Sequence, residues 1–548
     1  MMTLEVINRE MMESISSSKI AQELNVSAAS VNNWIKAGYL ERVGRGLVSR
    51  ESYKTFCAEM VGSQKLNKRA NKQYQKQHTP KVESFNFGKL FTLSFNEVVG
   101  ETLSQSYEKS LSSSHKNKEG IYYTPLDVCR DFFSEIDIDI NDGTRFCDPC
   151  CGSGNFIIAA LEAGISPKNI TGFDVDPIAV EIAKRRFYEY TGCTTCDIRV
   201  EDFLEMSCVS EGNLAFDIVM TNPPWGKKIS RERRERISQQ LGFTEAKDTL
   251  ALVLAKAMLT IKPCGYVGFL MPDAFFYVAA FRQVRELLLD WRLTSLHDYG
   301  NIFSGVQAQA KSVIACKAKP FSHTLVTCKT KKSKHERLQE SFKSNPESII
   351  NFEVDANESR VLMEMMSREH DTLKGRASWG LGIVTGNNKK FIANVHHDGY
   401  IPVYKGSEIN SKYLGRPTCF IPDDMTLYQQ VAPRQLYESQ EKLIYRFICS
   451  ELVFYFDTNK TYILNSANML VVEKNFPVNM KKLSAYLNSK IISWFHKKMF
   501  QTYKVLRSNL EQIPIYSDFL NSTEKFCEES FLEYLGIGKN EKGYFMKA

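Results

Sequence analysis

The stretch that decides the fold runs from Phe146 to Phe156 and reads FCDPCCGSGNF. An apolar run ends in Asp148 and Pro149, and Gly152 and Gly154 follow before a helical pattern begins. Two glycines at a strand-to-helix turn let the backbone approach a ligand closely. The spacing is not the six-residue glycine pattern of dinucleotide enzymes, which argues against a nicotinamide cofactor. The stretch therefore predicts a strand, a ligand-binding turn and a helix of an α/β domain.

Apolar runs alternate with helical patterns between about residues 120 and 320. We predict strands at 145–148, 170–174, 197–200, 216–221, 266–271, 293–298 and 311–317. Helices are predicted between them, among them 156–163, 178–190 and 246–261. Strands that alternate with helices indicate a mostly parallel, doubly wound, Rossmann-like sheet.

Acidic residues follow the next two predicted strands. Asp174 lies 20 residues after Gly154, where a carboxylate can accept hydrogen bonds from ribose hydroxyls. Asp202 and Phe203 follow the third strand, and an acid beside an aromatic ring can hydrogen-bond to and pack against an adenine. Ligands of open α/β sheets bind outside the carboxyl ends of the strands, so these positions together predict a cofactor that contains a nucleoside.

The fourth predicted strand ends in Asn222, Pro223, Pro224 and Trp225. The exocyclic amine of adenine is a poor nucleophile because its lone pair is delocalised into the ring. The Asn222 side-chain oxygen and the Pro223 carbonyl can accept its two hydrogens, and the two prolines stiffen the loop. Trp225 offers a flat face on which an extruded base can stack. This loop predicts methylation of an amine by a sulfonium donor, with alignment and hydrogen bonding in place of a metal.

Together with IYYTP at 121–125, the segments DPCCGSGNF, GFDVDP, EDF and NPPW resemble the gamma class of amino-group DNA methyltransferases. The resemblance is strongest to the TaqI-like adenine-N6 methylases of type II restriction–modification systems, and it covers roughly residues 115–515. It implies a class I methyltransferase fold and S-adenosyl-L-methionine as the methyl donor. It also implies double-stranded DNA as the substrate and a cognate restriction endonuclease that acts separately.

The resemblance assigns roles residue by residue. The residues that it implies for cofactor binding are Thr124, Asp148, Pro149, Gly152, Gly154, Asp174, Asp202 and Phe203. The residues that it implies for the flipped target adenine are Asn222, Pro223, Pro224, Trp225 and, as a second aromatic ring, Phe303. Two positions depart from the family pattern: Cys150 stands where alanine is usual, and Trp225 stands where tyrosine is commoner.

The chain outside the catalytic motifs predicts further domains. We expect a helix-turn-helix module at 1–60, a basic linker at 61–110, the methyltransferase domain at 111–345 and an α+β target-recognition domain at 346–548. The helix-turn-helix rests on two short helical patterns joined by a tight turn at 18–38. The recognition domain rests on segments at 382–391, 442–447, 485–500 and 504–515, with one amphipathic helix at 480–495.

Charge and composition narrow the class of protein. The formal net charge is +7, a mild indication of a polyanionic partner, and the basic run at 64–81 can contact phosphates. No apolar run is long enough to span a membrane and no secretory signal is present, which predicts a cytoplasmic, nucleoid-associated protein. Cys193 and Cys196 form a single C-x-x-C motif, and no second such motif follows at the spacing of a zinc site, so no metal site is predicted.

Three alternatives remain open at this point. An N4-cytosine methyltransferase would use the same kind of amine chemistry, although asparagine at 222 and the motif order favour adenine. A non-enzymatic DNA-binding regulator would use the N-terminal module but would not need both the cofactor turn and the NPPW segment. A combined methylase and nuclease would need an additional domain, for which residues 1–120 offer no evident catalytic site.

Overall fold

The computed structural model describes residues 14–24, 31, 34–35, 40–44, 46–59, 98, 101–111, 116, 120–206, 215–243, 248–303, 308–541 and 543–547. None of the helices within these ranges is both long and apolar enough to cross a membrane.

A small N-terminal unit has its own hydrophobic core. Its elements are β1 (Ser14–Ser16), α1 (Ser17–Glu23), β2 (Arg42–Gly44), β3 (Leu47–Ser49) and α2 (Arg50–Glu59). The three strands form a sheet of order β1-β3-β2, and the rings of Trp34 and Phe56 pack at 4.9 Å in the core beside it. The Ser16 hydroxyl caps α1 by accepting a hydrogen bond from the Lys19 amide. Most of the second helix of the predicted helix-turn-helix lies outside the described residues, so that motif stays a prediction.

The predicted basic linker ends earlier than residue 110. Residues Thr102–Ser110 form a helix, α3, instead of a linker. Leu103 and Tyr107, one helical turn apart, are buried against Ala179 and Ile182 of the catalytic domain. The cause of the difference is this apolar stripe, which is too short to stand out within a polar segment.

A nine-stranded sheet forms the catalytic domain. Its strands are β4 (Phe146–Asp148), β5 (Ile170–Asp174), β6 (Asp197–Val200), β7 (Phe216–Thr221), β8 (Ile261–Pro272), β9 (Arg292–Gly300), β10 (Ala310–Cys316), β11 (Leu325–Lys329) and β12 (Lys334–Leu338). The longer helices are α4 (Leu126–Ser134), α5 (Asn155–Glu162), α6 (Pro177–Thr191), α7 (Arg231–Gln240), α8 (Thr249–Leu259) and α9 (Arg282–Leu289).

The strand order is β12-β11-β9-β10-β8-β7-β4-β5-β6. The five strands β8, β7, β4, β5 and β6 are parallel to one another, whereas β10 is antiparallel to both β8 and β9. The mostly parallel α/β sheet confirms the predicted fold class. The chain leaves β4 toward β5 and β6 on one side and returns to β7 and β8 on the other. The carboxyl ends of β4 and β7 therefore form the switch point where such sheets bind ligands.

The C-terminal part is α+β, as predicted. Its strands are β13 (Ala377–Leu381), β14 (Tyr400–Tyr404), β15 (Cys419–Pro422), β16 (Lys442–Arg446), β17 (Phe454–Asp457), β18 (Tyr462–Ile463), β19 (Ala467–Val472), β20 (Ile537–Asn540) and β21 (Gly543–Met546). The longer helices are α10 (Ala356–Ser367), α11 (Met480–Leu487), α12 (Lys490–Phe500) and α13 (Glu528–Tyr534). The strands form a four-stranded sheet, β13-β19-β16-β17, a three-stranded sheet, β15-β14-β18, and the hairpin β20-β21.

The single amphipathic helix predicted at 480–495 is wrong, because two helices cover this region. The break falls at Asn488, whose side-chain amide donates to the carbonyl oxygens of Ser484 and Phe454. The hydroxyl of Ser489 then accepts from the Ile492 amide and starts α12. Asn and Ser side chains bond the backbone locally, so they favour helix ends over helix interiors.

A fully buried ion pair joins β16 to β17. Lys442 and Asp457 lie opposite each other in the antiparallel register and both side chains are 0% exposed. Lys442 Nζ lies 2.6 Å from Asp457 Oδ2 and also donates to the Tyr437 carbonyl. Asp457 accepts further bonds from the Thr461 amide and hydroxyl. The pair is satisfied on both sides, as a buried pair must be to persist.

Candidate active site

A cavity of about 360 Å³ lies at the carboxyl ends of the parallel strands. Nine of the residues singled out by the sequence line it: Thr124, Asp148, Pro149, Gly152, Asp174, Asp202, Phe203, Asn222 and Pro224. Gly154, Pro223, Trp225 and Phe303 are not among the lining residues. The structure thus brings together the cofactor-type residues and Asn222 in one pocket.

The turn after β4 depends on two glycines with positive φ. Gly152 has φ 50°, and a Cβ there would lie 2.7 Å from the Tyr123 ring. Gly154 has φ 88° and precedes α5, and a Cβ there would lie 3.1 Å from that of Ala183. The contact at Gly152 is closer than a Cβ tolerates and the one at Gly154 is tight, and both residues have positive φ, so the turn favours glycine by backbone conformation and by space.

A buried arginine holds this turn from behind. Arg186 on α6 is 0% exposed, and its Nη1 lies within 3.0 Å of Ser104 Oγ, 2.7 Å of the Ser153 carbonyl and 2.6 Å of Asn155 Oδ1. The Asn155 amide donates in turn to the Thr124 carbonyl at 2.6 Å. Burial lowers the pKa of Arg186 to about 10. One guanidinium therefore ties α3, the glycine turn and the Thr124 segment together.

Two carboxyl groups flank the turn. Asp148 accepts a hydrogen bond from the Cys150 amide at 3.1 Å, and burial raises its pKa to about 7. Asp174 accepts from the Gly152 amide at 2.8 Å and from the Asp176 amide at 2.9 Å. Burial also raises the pKa of Asp174, although these two amides oppose the effect. Backbone amides of the turn therefore orient both carboxyl groups.

The end of β6 supplies an acid and an aromatic ring, as the sequence indicates. Asp202 Oδ1 accepts from the Leu204 amide at 3.0 Å and Oδ2 pairs with Arg233 at 2.5 Å. The Phe203 ring is buried, with its centroid 6.0 Å from that of Phe173. Arg233 also lines the cavity, although the sequence gives no sign of it.

The loop after β7 presents an oriented amide. Asn222 Nδ2 donates to the Tyr122 carbonyl at 2.7 Å, which directs the side-chain oxygen the other way. That oxygen, Oδ1, is buried and accepts no hydrogen bond from the described residues. The loop is held closely by Gly120, because a Cβ there would lie 2.5 Å from the Trp225 amide nitrogen. An unsatisfied buried acceptor beside a cavity is the arrangement expected where a ligand donates.

Three aromatic rings cluster behind this loop. The ring centroids of Trp225 and Phe303 are 5.2 Å apart with an edge-to-face arrangement, and Tyr122 lies 5.5 Å from Phe303. Trp225 is 8% exposed, Phe303 is 7% exposed, and the indole N–H points to the Leu270 carbonyl at 3.4 Å. The structure brings both predicted stacking rings together, and they pack edge to face on each other without lining the cavity.

The catalytic domain and the C-terminal part match two known families in chain order. Residues 99–348 match the family described as N-6 DNA Methylase, and residues 401–515 match the TaqI-like C-terminal specificity domain. The chain is 42% identical over 400 residues to the Type II methyltransferase M.VspI of Vibrio sp. (strain 343), which covers 73% of this chain and 97% of the relative. The chain belongs to the TaqI-like type II DNA methyltransferases. This confirms the resemblance that the motifs indicated.

More distant relatives of this methyltransferase share less of its length. The modification methylase CviBIII of Paramecium bursaria Chlorella virus NC1A is 24% identical over 201 residues, 35% of this chain and 49% of the relative. A solved structure of the Type IIL restriction-modification enzyme MmeI with DNA has a TM-score of 0.50 at 11% identity, over 74% of this chain and 69% of that chain. At this identity, the likeness to MmeI concerns the fold alone.

Several residues at the site of this methyltransferase carry no clear signal in the sequence. Tyr107, Tyr123, Lys227 and Arg233 line the cavity, and Arg186 supports it from behind. The Tyr107 hydroxyl donates to Asp176 at 2.6 Å, a contact between residues 69 positions apart. The IYYTP segment indicates Tyr123. The remaining residues reach the site through contacts between distant parts of the chain, which a local sequence pattern cannot indicate.

Proposed function

We propose that this protein is a site-specific DNA adenine-N6 methyltransferase that uses S-adenosyl-L-methionine. The target adenine is extruded from duplex DNA into the pocket beside Asn222. The family membership supports DNA methylation, and the site supports the finer assignment to an exocyclic amine.

The lining of the cavity fits this cofactor. Three residues of the lining, Tyr123, Ser153 and Asn222, carry buried polar atoms without a partner among the described residues, as expected of a site that a polar ligand completes. Asp148 and Thr124 are suited to the cationic methionine part, Asp174 to the ribose, and Asp202 with Phe203 to the adenine. S-adenosyl-L-methionine supplies an electrophilic methyl group on a sulfonium.

The observation that carries the proposal is the free Asn222 oxygen. An amine that donates one hydrogen to Asn222 Oδ1 and the other to the Pro223 carbonyl loses conjugation with the ring and becomes more nucleophilic. Asn222 Nδ2 is already fixed by the Tyr122 carbonyl, so the acceptor is oriented before the base arrives. Preorganised hydrogen-bonding groups of this kind are a major source of rate enhancement.

The decisive experiment is expression in a methylation-free host, followed by sequencing of the genomic DNA for modified bases. N6-methyladenine at one short motif supports the proposal and identifies the target. N4-methylcytosine would keep the fold and the amine chemistry but replace the base. Absence of modification by soluble, cofactor-binding protein would favour the regulator alternative.

We further propose that methylation protects host DNA from a cognate restriction endonuclease. This role is supported by the relationship to a type II methyltransferase. Once the target motif is known, DNA from expressing cells should resist an endonuclease that cuts at that motif, whereas DNA from cells expressing Asn222→Ala should be cut.

A further inference from the structure

The segment that follows the catalytic loop reaches across the cofactor cavity. Lys227, Ile229 and Arg233 lie within 11 residues of Asn222 and all three line the cavity. The segment leads into α7, whose first turn is capped by the Ser230 hydroxyl. Its sequence, RERRERISQQ, reads as a solvated helix.

Arg233 differs from the other arginines of this helix. Its Nη2 lies 2.5 Å from Asp202 Oδ2 and its Nε lies 2.7 Å from Glu205 Oε1. Its side chain is 27% exposed. Arg231, two residues earlier, is 78% exposed and pairs with Glu235 on its own helix. Arg236 pairs with Glu205, and within the described residues it makes no ion pair with Asp202.

We propose that Arg233 is a positioning residue that orients the Asp202 carboxylate toward the adenine ring of the cofactor and so sets the preference for an adenine nucleoside. This inference rests on the proposed cofactor. Both oxygens of Asp202 are anchored, one by the Leu204 amide and one by Arg233. A carboxylate oxygen has two lone pairs, so an anchored oxygen still accepts one more hydrogen bond, such as one from the adenine amine.

The planar guanidinium makes this arrangement possible. Arg233 binds two different carboxylates through two nitrogens held in one plane, which a lysine ammonium cannot reproduce. Without Arg233, Oδ2 of Asp202 loses this partner, and only the Leu204 amide then restrains rotation of the carboxylate about its terminal torsion. Its remaining lone pair would then no longer be directed at one point in the cavity, and the match to an exocyclic amine would weaken.

The test compares two ligands that differ at this amine. Binding of S-adenosylhomocysteine and of its 6-oxo analogue, S-inosylhomocysteine, is measured by calorimetry with the full-length protein. The 6-oxo group accepts where adenine donates, so wild type should bind the adenosyl ligand about tenfold more tightly or better. Arg233→Ala should weaken the adenosyl ligand by about tenfold and the inosyl ligand much less, so the ratio of affinities falls toward one.

Two further variants control this result. Arg231→Ala removes an arginine from the same helix without touching Asp202, and it should keep the wild-type ratio. Arg233→Lys should keep part of the preference for the adenosyl ligand over the inosyl ligand. A general loosening of the fold would weaken both ligands equally, so the ratio separates positioning from a structural role.

The possible contradictions are distinct. An unchanged ratio in Arg233→Ala would overturn the inference, as would tighter adenosyl binding, which would make Arg233 an obstruction. If wild type binds neither ligand, the proposed cofactor itself is wrong.

Discussion

Asn222 has two hydrogen-bonding atoms in unlike situations. The nitrogen is fixed by a backbone carbonyl, and the buried oxygen has no partner among the described residues. Among the described residues, this oxygen is the buried side-chain acceptor of the catalytic loop that the fold orients but does not satisfy. The sequence could predict the residue, because NPPW is a local pattern, but not the state of its oxygen, since that depends on Tyr122, 100 positions away.

Asn222→Ala should lower the single-turnover rate of methyl transfer by about 100-fold or more, because one preorganised acceptor is lost. Affinity for S-adenosylhomocysteine should stay within about twofold of wild type. Rapid-quench assays with the target duplex and calorimetry measure the two quantities. Near-normal turnover in this variant would contradict the proposed mechanism.

Asp148 should make cofactor affinity depend on pH. Its pKa in the unliganded site is raised by burial to about 7, so below that pH it is mostly neutral. A cationic ligand favours the carboxylate and lowers this pKa, so binding releases a proton below pH 7. Affinity for S-adenosyl-L-methionine should rise as pH increases from about 5.5 to 7, by up to about tenfold per unit.

Asp148→Asn is the matched variant for this prediction. The amide has nearly the shape of the carboxylate but does not titrate in this range, so the pH dependence over the same interval should flatten. Calorimetry in buffers of different ionisation enthalpy counts the released proton. A slope that persists in Asp148→Asn would assign the titration to another group.

At the scale of elements, the glycine turn is held by contacts from α3 and α6. The ends of β4, β5 and β7 were predictable because these apolar runs are short and lead directly to Asp148, Asp174 and Asn222. The support from Arg186 could not be predicted from the sequence. Arg185 and Arg186 are adjacent in the KRRF segment, and nothing in the local pattern indicates that Arg186 is the buried one. The break at Asn488 has a local cause instead. The side chains of Asn488 and Ser489 bond the backbone and interrupt the helix, although the apolar stripe continues through both helices.

Arg186→Met should destabilise the protein by about 2–4 kcal/mol, because three buried neutral acceptors lose a charged donor. Arg185→Met is the control, since Arg185 is 34% exposed and forms an ion pair with Glu189 within α6, and its loss should cost about 1 kcal/mol or less. Urea unfolding of the catalytic domain measures both. Equal losses in the two variants would rule out the tethering role of Arg186.

At the scale of the whole molecule, the N-terminal unit stands apart from the matched families, which begin at residue 99. Its core consists of its own residues, from Ile15 to Phe56. The sequence predicted a separate module at residues 1–60, and the second helix of its helix-turn-helix stays a prediction. The boundary of the catalytic domain was harder to place, because α3 looks polar until its partner α6 is known.

Deletion of residues 1–60 should leave the methylated motif unchanged, because none of the described residues of this unit lines the cavity and the match to the specificity domain covers residues 401–515. If the module reads an operator, the same deletion should abolish binding to the promoter of its own gene and raise expression. Methylome sequencing and gel-shift assays measure the two effects. Unchanged promoter binding and expression would refute the regulatory role, and loss of methylation would show that the module serves catalysis.

The buried pair Lys442–Asp457 has a consequence for exchanging segments of the C-terminal part between related enzymes. Sliding β17 along β16 by two residues would leave an ammonium and a carboxylate unpaired in an apolar interior, at a cost of about 3–5 kcal/mol. The pair therefore locks the alignment of the two strands, and with it the span of the connection at 447–453. A graft from a related enzyme that includes β16 and β17 should therefore take both Lys442 and Asp457 from one parent, never one from each, and should keep an apolar residue at Leu452, which is buried.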